Sequence, residues 1–174
     1  MLIGLSGSGK STVGRLLSSR LGLPVRDTDR LIEARVGATV ASIFANQGEA
    51  EFRRLETQIL ADACLGCNIV ATGGGVVLLP ENRRVMREGN LVIWLDVPIP
   101  VLARRLAAHV HGEERPLLKG AGLQERLQKL YAERSALYKQ TAHVRCAAPD
   151  SGPSGSHRIA VELTKIYRAW EISE

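Results

Sequence analysis

Aromatic side chains are scarce in this sequence, 4% of 174 residues, and its basic residues form no continuous run. Single-stranded nucleic acid is gripped by aromatic faces lying along a basic track. The net charge of +5 therefore points to small anionic substrates rather than to nucleic acid. No apolar run approaches the roughly 20 residues that a membrane-spanning helix needs. Cysteine is also sparse. Cys64, Cys67 and Cys146 are an odd set that implies no disulfide framework. The CxxC spacing of Cys64 and Cys67 has no second pair to complete a zinc site, and reads as small residues filling a helix-to-strand junction. With 45% hydrophobic and 24% charged residues, the composition is that of one globular domain with its own core.

Strand-like and helix-like segments alternate along the chain. Strands are expected over 2–4, 23–27, 68–72, 90–97 and 143–147. Helices are expected over 10–21, in pieces over 30–64, then over 81–88, 98–108, 123–141 and 157–170. Residues 109–122 interrupt the helical pattern, and the Gly/Pro/Ser-rich stretch 149–156 reads as a surface loop. Such alternation implies a parallel sheet covered by helices on both faces, with ligands bound beyond the carboxyl ends of the strands.

The first motif lies where that rule requires. Residues 4–11, GLSGSGKS, match G-x-x-x-x-G-K-[ST] between a strand and a helix. Backbone amides of Gly7, Ser8 and Gly9 can cradle phosphate oxygens at the positive end of the helix. Lys10 supplies a point charge, and the Ser11 hydroxyl a ligand for Mg²⁺. The motif starts at Gly4, leaving no room ahead of it for a signal or transit peptide, so a cytoplasmic protein is expected. No long exposed apolar helix demands a partner, so a monomer is expected. A carboxylate must complete the metal site. Asp27 and Asp29, two apart in a stretch read as extended, would face one side together; Asp96, closing the strand VIWLD, is the alternative ligand.

The acceptor side reads as a site for a small carboxylic acid. Arg134 sits on the apolar stripe Leu123, Leu127, Leu130, Leu137 and Tyr138, where a guanidinium needs an anionic partner. Arg53 flanks the inner face formed by Phe52, Leu55 and Ile59, whereas Arg54 lies further round. Gly73, Gly74 and Gly75 follow a strand and let backbone amides approach a ligand closely. Arg115, among the glycines of 109–122, suits a mobile lid. His109 and His111, near Glu113 and Glu114, read as exposed lid residues rather than a metal site.

Taken together, GSGKST, DTD, IFANQGEAEFRRLE, ATGGGVV, RPLL and ERSALY resemble the shikimate kinase family from the first strand to the last helix. That resemblance implies transfer of the γ-phosphoryl group of ATP to the 3-hydroxyl of shikimate, on the route to chorismate and the aromatic amino acids. It also implies a P-loop fold like that of nucleoside monophosphate kinases: a three-layer α/β/α domain with a five-stranded parallel sheet of order 2-3-1-4-5. By position it makes Asp29 the candidate base and ring-hydroxyl ligand, and places Asp27 near Mg²⁺. Arg53 and Arg134 would hold the carboxylate, with Gly73, Gly74 and Gly75 against the ring. Gly7, Ser8, Gly9, Lys10, Ser11, Thr12 and the lid residue Arg115 would meet the nucleotide. Arg104, Arg105 and the loop 149–153 are the candidates for the adenine. Two features depart from the family's pattern: a first strand of only Met1 to Ile3, and Ser135-Ala136 where proline is frequent. A gluconate or nucleoside monophosphate kinase is the nearest rival, and a nucleotide-sensing or nucleic-acid module a more distant one.

Overall fold

The computed structural model describes residues 1–108, 122–148 and 153–173. Leu2–Ile3 (β1), Val25–Asp27 (β2), Ile69–Ala71 (β3), Ile93–Asp96 (β4) and Val144–Ala147 (β5) form one sheet of order β2-β3-β1-β4-β5. Every neighbouring pair is parallel, with Leu2 opposite both Ala71 and Ile93, Val25 opposite Ile69, and Ile93 opposite Val144.

The pleat sends successive residues to opposite faces, and each face meets its own helices. Leu2, Ile93 and Leu95 pack with Val13 and Leu17 of α1 (Lys10–Leu21) and with Ala160 and Leu163 of α7 (Pro153–Ser173). Ile3, Val92 and Trp94 pack on the other face. There they meet Leu60 of α3 (Val40–Ala63), Met86 of α4 (Pro80–Arg87), Leu102 of α5 (Ile99–Ala108), and Leu127 and Tyr138 of α6 (Leu123–Thr141). A third cluster joins Ile32 of α2 (Thr28–Val36) to Ile43, Phe52, Leu55 and Ile59 of α3. The three-layer α/β/α architecture and the strand order are those expected.

Three local readings change. The DTD segment is not extended: Asp27 closes β2 and caps α2, its side chain accepting from the Arg30 amide, so Asp29 lies in the first turn of a helix. The pieces expected over 30–64 resolve into α2 and α3, and α3 is broken at Gly48, whose φ of 81° and ψ of 171° are not helical. The stretch 149–156 is not loop throughout, because α7 begins at Pro153, a residue whose fixed φ suits a first helical turn. Residues 109–121, which carry Arg115, His109, His111, Glu113 and Glu114, and residues 149–152 lie outside the described residues.

Candidate active site

The phosphate loop spans the gap from β1 to α1. Gly9, with φ 94°, caps α1 without any side-chain hydrogen bond, which leaves the positive end of the helix to the backbone. Gly4 cannot be replaced. Its φ is 141°, and a Cβ there would stand 2.6 Å from the Leu95 carbonyl oxygen of β4. Lys10 is only 8% exposed and folds over the loop, donating to the Gly4 and Leu5 carbonyls at 2.8 and 2.9 Å and to Ser8 Oγ at 3.3 Å. Arg105 of α5 reaches the same loop, Nη1 donating to the Gly7 and Ser8 carbonyls at 3.3 Å each. Burial, with Arg104 nearby, pulls its guanidinium below the usual range.

Ser11 donates its hydroxyl to Asp27 Oδ2 at 2.6 Å. These two hard oxygen donors, side by side at the mouth of the loop, fit a Mg²⁺ site that leaves most coordination to phosphate and water. No cluster of three or more acidic, histidine or cysteine side chains suited to a metal occurs among the described residues. The alternative ligand is engaged elsewhere. Asp96 Oδ2 pairs with Arg145 of β5 at 2.6 Å and accepts the Tyr131 hydroxyl at 3.4 Å.

The turn at residues 73–75 lies directly against this loop. A Cβ on Gly74 would stand 3.1 Å from the Ser6 amide nitrogen. On Gly73 it would meet Asp29 Oδ1 at 2.7 Å and Glu56 Oε1 at 2.8 Å, and on Gly75 it would overlap the Arg53 guanidinium, with Nη1 at 2.5 Å. Arg134 donates Nη1 to the Gly74 carbonyl at 3.1 Å. Asp29, Arg53 and Arg134, drawn from three helices, thus surround one glycine turn beside the phosphate loop. The Gly73 amide is committed to Thr28 Oγ1 at 2.9 Å. Arg54 faces outward in an exposed pair with Glu51.

Glu56 is the member that sequence reasoning missed. Its side chain is fully buried, and Oε2 pairs with Arg53 Nη1 at 2.6 Å. Burial pushes its carboxyl above the ordinary range, against the pull of Arg53. A signal existed: Glu56 lies four residues after Phe52, on the inner face of α3, and three after Arg53. Burial alone would lower Arg53, but Glu56 and then Glu49 outweigh it and leave its pKa raised. Glu56 Oε1 and Arg134 Nε are buried with no hydrogen-bond partner among the described residues. A separate apolar cavity of about 300 Å³, lined by Leu17, Leu91, Leu163 and Trp170, opens at the amino ends of the strands, away from this cluster.

The family model described as shikimate kinase matches residues 6–166. The chain belongs to the shikimate kinase family. A shikimate kinase of Symbiobacterium thermophilum is 51% identical over 147 residues, 83% of this chain and 83% of that one. One from Paracidovorax citrulli is 44% identical across 93% of this chain and 90% of its own. Among solved structures, shikimate kinase from Acinetobacter baumannii in complex with shikimate superposes with a TM-score of 0.87 at 30% identity, covering 97% of this chain and 91% of that one. Shikimate kinase from Aquifex aeolicus gives 0.78 at 28% identity, covering 99% and 98%.

Proposed function

We propose that this chain transfers the γ-phosphoryl group of ATP to the 3-hydroxyl of shikimate, yielding shikimate 3-phosphate and ADP. The observation that carries this reading is the contact between the two half-sites. The glycine turn that gathers Asp29, Arg53 and Arg134 also touches Ser6 of the phosphate loop. An acceptor held at that turn lies next to the phosphoryl group it receives.

Each residue then has a physical task. Arg53 and Arg134 bind the carboxylate of the acceptor. Glu49, 62% exposed where it pairs with Arg53, is the partner that an incoming carboxylate displaces, while the buried Glu56 keeps Arg53 aimed. Asp29 orients the ring hydroxyls and takes the proton of the attacking one. Gly7, Ser8, Gly9, Lys10, Ser11 and Thr12 hold the phosphates, Arg115, outside the described residues, would add a lid charge to them, and Arg105, on the Gly7 and Ser8 carbonyls, would meet the base. The whole chain acts as one domain, with its acceptor region at residues 30–60. Ser11 and Asp27 would hold Mg²⁺, which when bound neutralises phosphate charge. Phosphoryl transfer asks little covalent chemistry of the protein, so alignment and charge neutralisation supply most of the acceleration.

A coupled ADP-release assay with shikimate, gluconate and AMP tests the reading. Turnover is expected with shikimate; turnover with gluconate or AMP in its place would overturn it. The crowding at the turn adds a second expectation. In Gly73→Ala the new methyl displaces Asp29 and Glu56, lowering shikimate-dependent turnover by about a hundredfold, as misplacement of reacting groups does. The overlap costs about 1–3 kcal/mol of stability, readable in urea unfolding. Turnover like that of the parent would show that Asp29 tolerates displacement.

A further inference from the structure

Tyr138 is 0% exposed yet carries a hydroxyl, and that hydroxyl donates to the Gly74 carbonyl. Arg134, one turn earlier on α6, donates Nη1 to the same oxygen at 3.1 Å. Two side chains four apart on one helix face therefore grip one acceptor. The tyrosine ring is itself fixed, stacked on Trp94 of β4 with centroids 5.6 Å apart. Trp94 in turn carries the Arg145 guanidinium 5.3 Å from its ring centre. Burial also raises the pKa of the phenol, so it keeps its proton and remains a donor.

The turn needs such a hold. Three consecutive glycines carry no side chains to anchor them, and their backbone is the freest the chain can have. Fixing the Gly74 oxygen fixes a planar trans peptide, and with it the direction of the Gly75 amide. It also orients Arg134. Nη1 spends one of its two N–H groups on Gly74, which fixes the plane of the guanidinium. Nε is the buried atom with no partner among the described residues.

We infer that Tyr138 is a positioning residue for acceptor recognition: its hydroxyl locks the Gly74 carbonyl, and so selects the rotamer in which Arg134 presents its guanidinium to the substrate carboxylate. The effect on catalysis rests on the proposed function, but the lock itself does not. Tyr138→Phe keeps the ring on Trp94 and removes only the oxygen.

The first readout needs no substrate. In ¹⁵N NMR spectra, the Arg134 Nε–H is expected to be slowly exchanging in the parent and broadened by exchange in Tyr138→Phe. An unchanged signal in the folded variant would overturn the lock. Kinetics supply the second readout. The shikimate KM is expected to rise roughly five- to tenfold, the loss carried by one neutral hydrogen bond. Meanwhile kcat stays within about twofold and the KM for ATP is unmoved, a split that general loosening of the fold would not give. In an Arg134→Ala background, Tyr138→Phe should add nothing; an additive rise in KM would show that the hydroxyl does not act through Arg134. Parent protein that failed to phosphorylate shikimate would sink the proposed function alone, and the NMR comparison would still decide the lock.

Discussion

Lys10→Ala is expected to lower kcat for shikimate phosphorylation by roughly 10²–10³-fold, the range seen when one preorganised donor to developing charge is removed. The shikimate KM should hold nearly constant, because the proposed acceptor cluster is Asp29, Arg53 and Arg134 rather than the loop. The size of the effect follows from burial. Lys10 is 8% exposed and its ammonium rests on the Gly4 and Leu5 carbonyls and Ser8 Oγ, so it would meet incoming phosphate where little water screens it. Lys10→Arg is not a rescue, since a planar guanidinium does not fit the pocket of a compact ammonium. Steady-state rates with saturating ATP decide the matter. A fall of less than about tenfold would mean that the backbone amides of residues 7–9 carry the phosphate charge without Lys10.

Arg134→Ala should act on the other substrate. Losing a charge-assisted hydrogen-bonding partner is worth about 1.5–3 kcal/mol, so the shikimate KM is expected to rise roughly ten- to hundredfold. The carboxylate is remote from the reacting oxygen, and kcat should change far less. Arg134→Lys should recover only part of the loss, because an ammonium cannot meet a carboxylate with two parallel bonds. An unaltered KM in Arg134→Ala would leave Arg53 as the sole carboxylate ligand and remove α6 from the site.

What the sequence made legible depended on how local the physics was. The bounds of α1 and α6, Lys10–Leu21 and Leu123–Thr141, were readable because an apolar stripe starts after a glycine in each, Gly9 and Gly122, and in α1 also ends at one, Gly22. The phosphate loop was readable because one motif holds all its parts. The strand order is set by long-range pairing, such as Leu2 with Ile93, and periodicity does not encode it; resemblance to a family supplied it. Asp27 and Asp29 were misjudged through period-2 reasoning, although an aspartate three residues before the Arg30 amide is also a helix cap, and capping won. Glu56 escaped because a carboxylate on an apolar face looks like an exception until Arg53 is seen against it. Asp96, which ends its strand like a metal ligand, is neutralised by Arg145 from fifty residues away in the chain, roughly, and no local pattern announces that partner.

One consequence follows from the two oxygens of Asp27. Oδ1 takes the Arg30 amide that opens α2, and Oδ2 takes the Ser11 hydroxyl in the first turn of α1. A single carboxylate thus bridges two helices. The start of α1, which carries the end of the phosphate loop, is thereby tied directly to the first turn of α2, which carries Asp29.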